Sequence, residues 1–227
     1  MVDKRSKETL REEVKKHIIK GIGDGTYKYG ERIVETKLAK ELQVSQAPVR
    51  EAILELSIQG VLEERPYAGS FVRKPDAGEL DDHYKVRILT ESYTASEAAK
   101  NITEEELQNM RFILHEMSEC ENVDEFVELD HSFHRSIVDA SRNNVLKRIW
   151  VSLSVYETTY QAILTNRWTL KDLFELHRRL YEAVASGDPN SAAAEMYLHI
   201  YKFRIGVLED MKQKAEVAES DKKKKEK

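Results

Sequence analysis

Cysteine is almost absent: Cys120 stands alone in 227 residues. An internal disulfide framework is thereby excluded, and the chain suits a reducing, cytoplasmic setting. There are only four prolines and nine glycines, so breakers are few and long helices are allowed. No apolar run approaches the roughly 20 residues that a membrane helix needs. Nor does an apolar segment follow Met1-Val2-Asp3-Lys4-Arg5, so neither a membrane span nor a secretory signal is expected. What is plentiful is charge, at 34%, beside a hydrophobic fraction of 41%. That composition belongs to a folded, helix-rich protein with one large domain or two modest ones. A net charge of -5, taken as an average, argues against nucleic acid.

The average hides a division. Residues 1–75 hold 15 Lys+Arg against 12 Asp+Glu, a net of +3. Residues 76–211 hold 14 against 25, a net of -11, and residues 212–227 hold 7 against 4, again +3. Six of the nine glycines and three of the four prolines also fall in the first block. A boundary is therefore expected between Arg73 and Gly78. It separates a domain at 1–75 from a helical domain at 79–211, followed by a disordered basic tail at 212–227.

In the first block Leu10, Val14 and Ile18 recur every four residues, which predicts a helix over 6–20. Leu38 and Leu42 lie on one face of a short helix from Glu35 to Leu42, and Gln43-Val44 makes a tight turn. Ser45 is a suitable N-cap for a third helix, with Pro48 in its first turn and Val49, Ile53 and Leu56 as its buried stripe. Gly60 can end that helix in the left-handed conformation. Two β-rich runs, 61–64 and 70–73, flank a turn at 65–69. This order is that of a winged helix-turn-helix, whose third helix enters the major groove by its N-terminal end. Ser45, Gln46, Ala47 and Arg50 would face DNA, and Gly69 would let the wing backbone approach closely. Glutamine can read adenine, and arginine can read guanine or grip phosphate. Equally, Arg50 could be an ordinary solvated charge or pair with a carboxylate on another element.

The runs Tyr27-Lys28-Tyr29-Gly30-Glu31-Arg32-Ile33, Leu38-Ala39-Lys40-Glu41-Leu42-Gln43-Val44-Ser45 and Pro48-Val49-Arg50-Glu51-Ala52-Ile53 resemble the GntR family of bacterial repressors. Gly60-Val61-Leu62-Glu63, Arg65-Pro66 and Gly69-Ser70-Phe71-Val72 continue the likeness. It departs at Gln46-Ala47, where the family commonly has Arg-Thr, and at Ala68, where a basic residue is frequent.

The acidic block reads as about six helices, near 79–99, 103–119, 123–140, 143–165, 169–186 and 189–211. Thr103-Glu104-Glu105-Glu106 is a capping box, and Gly187-Asp188-Pro189 is a stop followed by an N-cap and a proline at the first helical position. Short connections favour an antiparallel all-α bundle, so the fold class is mainly α with one small β-hairpin. Asp130 and His134, four apart, leave one helix face together. His177 and His199 lie on later helices that can converge on them in a bundle. One carboxylate and three imidazoles suit a divalent metal such as Zn, Ni or Mn. Spacing alone favours a solvated helix face instead, and His131 points about 100° away from Asp130. Tyr84, Tyr156, Tyr160 and Tyr197 could line a pocket, but such spacing more usually means core.

Asp130-His131-Ser132-Phe133-His134, Glu175-Leu176-His177-Arg178-Arg179-Leu180, Ser186-Gly187-Asp188, Met196 and His199-Ile200 are similar to the FCD effector domain of the FadR subfamily. Val86-Arg87-Ile88-Leu89-Thr90-Glu91 resembles its opening helix. The resemblance implies a metal on Asp130, His134, His177 and His199, with a small organic acid completing its coordination. It also places Arg87 at the acid's carboxylate, although a pair with Glu91 four residues on is an equal alternative. The expected protein is a cytoplasmic homodimeric regulator, a repressor or else an activator, that binds double-stranded operator DNA under control of that acid. Two alternatives remain open: a metal-dependent hydrolase, and a constitutive repressor whose metal is purely structural.

Overall fold

A computed structural model describes residues 7–74, 76–153 and 167–225. The chain separates into two units, Met1–Asp76 and Ala77–Lys227.

In the first unit, α1 (Lys7–Gly23) packs Val14 and Ile18 against α3 (Gln46–Ile58). The apolar stripe of α3 is Val49, Ala52, Ile53 and Leu56, all buried. Beside this seam Lys15 reaches Glu55 at 2.5 Å and Arg11 reaches the other oxygen of Glu55 at 3.3 Å. The short α2 (Glu35–Glu41) buries Leu38 and Ala39. A tight turn follows, with Gln43 at φ 54 and the Val44 N–H donating to Ala39 at 3.0 Å. Ser45 occupies the N-cap position of α3 in extended conformation, yet its side chain accepts no capping hydrogen bond. The expected cap is therefore positional only. Gly60, at φ 77, turns the chain out of α3 and lets the Val61 N–H reach the Leu56 carbonyl.

The hairpin of β2 (Leu62–Arg65) and β3 (Gly69–Val72) is joined by a third strand that sequence reading did not anticipate, β1 (Arg32–Ile33). The antiparallel order is β1-β3-β2, with Arg32 opposite Phe71 and Leu62 opposite Val72. Ile33, Leu62 and Val72 face the core, while Arg65 lies over the Phe71 ring at 4.1 Å. Tyr67 at the tip is fully exposed at φ 62. Gly69 has φ 97, and a Cβ there would come within 3.1 Å of the Arg32 guanidinium. The positive φ is what calls for glycine, since the Arg32 side chain can give way.

The second unit is helical: α4 (Ala77–Asn101), α5 (Glu104–Glu119), α6 (Val123–Ala140), α7 (Asn144–Ser152), α8 (Leu170–Ala185) and α9 (Pro189–Lys225). The remainder of the helix expected over 143–165, with Tyr156 and Tyr160, lies outside the described residues. The Thr103 capping box forms as expected, Thr103 accepting from the Glu106 N–H and Glu106 from the Thr103 N–H. A second box, Thr169 with Asp172, opens α8. Thr103→Ala is expected to lower stability by about 0.5–2 kcal/mol, read as a shifted urea midpoint. An unchanged midpoint would mean the box contributes nothing.

Gly187 ends α8 at φ 72, Asp188 accepts from the Asn190 N–H, and Pro189 opens α9. Residues 212–225 of the stretch expected as a disordered tail continue α9, which runs to Lys225. No glycine or proline follows Gly206, and Ala, Glu and Lys are strong helix formers. α4 lies along α9 and also meets α6, α7 and α8. Tyr84, Phe126, Phe133, Leu173, Leu180 and Met196 are core residues of this bundle, each at most 2% exposed.

Candidate metal centre and nucleic-acid interface

Asp130 and His134 stand one turn apart on α6, His177 on α8 and His199 on α9. The packing of three helices brings all four together, each 0–2% exposed. The ligand atoms of His134, His177 and His199 lie within 4.8 Å of one another. His134 Nε2 is 3.2 Å from His199 Nε2 and 3.9 Å from Asp130 Oδ1, and His177 Nε2 is 2.8 Å from that same oxygen. Metal bonds of about 2.0–2.2 Å place neighbouring ligand atoms about 3–3.5 Å apart; His134 and His199 meet that spacing at 3.2 Å, and the rest of the cluster, spread over up to 4.8 Å, would draw in around an ion.

The proton positions give an independent test of fit. His177 Nδ1 sits 2.7 Å from the Leu173 carbonyl, a pure acceptor, so Nδ1 carries the ring hydrogen. In a neutral ring Nε2 then offers only a lone pair, and it faces a carboxylate oxygen at 2.8 Å. Two lone pairs at that distance require a cation, either a second ring proton or a metal. Asp130 Oδ2 is buried with no hydrogen-bond partner among the described residues. A set of three imidazoles and a carboxylate short of positive charge is what a divalent ion satisfies.

Burial pushes His134 down to about 3 and His199 well below its ordinary value, with the neighbouring imidazoles adding to the shift. Both rings are neutral near pH 7, the form that binds a metal. Burial works to raise the Asp130 carboxyl, but the His177 and His134 imidazoles beside it outweigh that and hold it below the usual range. The unfolded chain takes up protons at these imidazoles near pH 6.5, whereas the folded one does not. Their contribution to stability is thus complete above pH 6.5 and is lost as pH falls toward 3. The melting temperature of metal-stripped protein should accordingly drop between pH 6.5 and 5, and a flat profile would contradict this assignment.

Arg87, expected either at a ligand carboxylate or paired with Glu91, makes the pair. Its Nε donates to Glu91 Oε1 at 2.7 Å, with both side chains at most 5% exposed. Glu91 Oε2 is 4.0 Å from His134 Nδ1, so this pair on α4 adjoins the imidazole cluster. Sequence reading saw the Arg87–Glu91 spacing but not the reach to His134, because that proximity depends on α4 packing against α6. Tyr84 is buried near Arg87, while Tyr197 is exposed and stacks on Tyr201.

In the first unit Ser45, Gln46, Ala47 and Arg50 are all exposed at the start of α3, as is Gly69 by the hairpin tip. Arg50 Nε meets Glu35 Oε2 at 3.2 Å while its side chain remains 68% exposed. Pairing across elements is therefore present in the free protein. Such a surface pair is worth about 0–1 kcal/mol, little enough for DNA to displace.

The model of the bacterial regulatory proteins of the gntR family matches residues 10–72, and that of the FCD domain matches residues 82–202. The chain is 31% identical to a probable D-xylose utilization operon transcriptional repressor of Paenarthrobacter nicotinovorans, over 85% of this chain and 86% of that protein. It is 30% identical to the HTH-type transcriptional regulator LutR of Bacillus subtilis, over 79% and 92% of the two chains. The solved structure of E. coli McbR/YncC superposes with a TM-score of 0.72 at 20% identity, covering 89% of this chain and 98% of that one, a likeness of fold. These families and relatives are transcription regulators, not enzymes, so the hydrolase alternative falls away. With a gntR-family domain and an FCD domain both matched, the chain belongs to the GntR family of bacterial transcription regulators, in its FadR-like, FCD-containing branch.

Proposed function

We propose that this regulator is a homodimeric repressor whose operator affinity is set by a small organic acid bound at a divalent metal in the helical unit. The observation that carries this reading is the buried cluster of Asp130, His134, His177 and His199, whose facing lone pairs call for a cation. These four residues would hold the ion. When bound, it supplies a positive charge that an incoming carboxylate can share. Among residues 76–211, which carry a net charge of -11, an acid needs such a local cation. Arg87 is the second cation at the same core, and a carboxylate reaching it competes with Glu91 for the guanidinium.

DNA recognition falls to Ser45, Gln46, Ala47 and Arg50 at the start of α3 and to the backbone at Gly69. A dimer presents two such surfaces to a two-fold-related operator. Control is a shift of population: the acid must bind one arrangement of the dimer better than the other, and that difference is all it can transmit. The relative from Paenarthrobacter nicotinovorans, named as a probable repressor, supports repression over activation.

One feature favours a second reading. The four candidate ligands are 0–2% exposed, as in closed structural metal sites. The metal would then only tie α6, α8 and α9 together, and repression would be constitutive. Elemental analysis joined to a thermal-shift panel of organic acids separates the two. The proposed function requires about one metal per chain and a raised melting temperature with at least one acid. Metal without any acid response supports the structural role, and no metal at all overturns both.

A further inference from the structure

His134 Nδ1 is buried and has no hydrogen-bond partner among the described residues. Its other nitrogen, Nε2, faces His199 Nε2 at 3.2 Å and Asp130 Oδ1 at 3.9 Å, so Nε2 is the atom available to a metal. A neutral ring that offers its Nε2 lone pair must keep its hydrogen on Nδ1. The ring therefore has a buried donor in need of an acceptor. Glu91 Oε2 stands 4.0 Å from it, and Glu91 is 2% exposed. Its other oxygen is fixed by the Arg87 Nε at 2.7 Å.

We propose that Glu91 is a positioning residue of the metal centre, accepting the Nδ1 hydrogen of His134 and so aiming Nε2 of that ring at the shared ion. Closing 4.0 Å to hydrogen-bond distance takes about 1 Å, within reach of small side-chain adjustments of His134 and of the Arg87–Glu91 pair moving together. His177 already shows the same arrangement, its Nδ1 donating to Leu173 while Nε2 faces Asp130. Such outer acceptors orient ligand imidazoles and raise their basicity. Arg87, by holding one oxygen of Glu91, sets how near the other comes to His134. The ion pair on α4 thus becomes part of the centre rather than a bystander. The inference rests on the divalent-metal reading above.

The test uses Zn²⁺ and Co²⁺ alone as probes of the full-length protein. Removing Glu91 by itself would leave the Arg87 charge buried, so the comparison is made in the Arg87→Met background. Arg87→Met/Glu91→Leu removes the acceptor and should bind Zn²⁺ about 10- to 100-fold more weakly than wild type. Its Co²⁺ absorption spectrum should shift as well. Arg87→Met/Glu91→Gln retains an acceptor oxygen and should recover most of the affinity and the wild-type spectrum. Equal Zn²⁺ affinity and one Co²⁺ spectrum in both variants and in wild type would overturn the proposal. Should the leucine variant fail to fold, proton–nitrogen NMR of the wild-type Zn²⁺ protein decides. A hydrogen-bonded, slowly exchanging proton on His134 Nδ1 is expected, and its absence would sink the idea. A wild-type protein that takes up no metal overturns both this inference and the reading beneath it.

Discussion

Zn²⁺ uptake is expected to collapse in His177→Ala, by more than about 100-fold in affinity, while the helical content of the protein survives. The size follows from a comparison: loss of an outer-shell partner costs about 10- to 100-fold, and His177 is itself a candidate ligand. Its ring is held by the Leu173 carbonyl at 2.7 Å, so Nε2 has no freedom to point anywhere but at Asp130. Removing it takes away one ligand and leaves the buried Asp130 carboxylate without its imidazole partner. Zn²⁺ binds the folded form, so at 100 times its dissociation constant it stabilises wild type by about 2.7 kcal/mol. The corresponding rise in melting temperature should vanish in the variant. Competitive titration against a chelator measures the affinity directly. A variant that retains wild-type affinity would remove His177 from the metal centre.

Arg50→Ala is expected to weaken operator binding by about 5- to 150-fold, the range for an arginine that contacts a base. The residue is exposed at the start of α3, and its ion pair with Glu35 is of the weak surface kind, so the fold should be undisturbed. Glu35→Gln provides the complement. It frees Arg50 from its carboxylate and should leave operator affinity equal or somewhat higher. If Arg50 grips phosphate, the loss will be uniform across operator variants and the salt dependence will fall by about one unit of slope. If it reads guanine, the loss will concentrate at one base pair. Binding by Arg50→Ala as tight as wild type under both tests would show that α3 does not read DNA through this residue.

The order of elements in the first unit was legible because each carries its own local signal. The apolar stripe Val49, Ile53 and Leu56, the breaker Gly60 and the glycine beside the wing tip all act over a few residues, and each lies where its chemistry requires. β1 left no such signal. It is two residues long and exists only through pairing with β3, a contact across nearly forty positions of sequence. The lysine-rich end, expected as disordered, continues α9 to Lys225, since charge runs are compatible with helix when nothing breaks them and no breaker follows Gly206.

At the candidate site the Asp130–His134 pair could be read from its spacing alone, since residues four apart share a helix face. Bringing His177 and His199 to the same point depends on which helices meet, and periodicity does not encode that. The family resemblance supplied it. Arg87 shows the limit of both routes, because spacing and resemblance gave it different partners. Packing of α4 against α6 and α9 buries it with Glu91. The two charge blocks sharpen the functional reading: the +3 block carries the exposed Arg50, and under the proposed function the -11 block would need a cation to admit an acid.

The central claim is that an organic acid and a metal in the helical unit jointly set DNA affinity. Fluorescence anisotropy on an operator selected from a random DNA library tests it most directly, using Zn²⁺-loaded and chelator-stripped protein across a panel of organic acids. The account predicts that at least one acid changes operator affinity by about 5- to 150-fold, a coupling of ~1–3 kcal/mol. That change should appear only in the metal-loaded protein. An operator affinity that no acid alters, loaded or stripped, would contradict it.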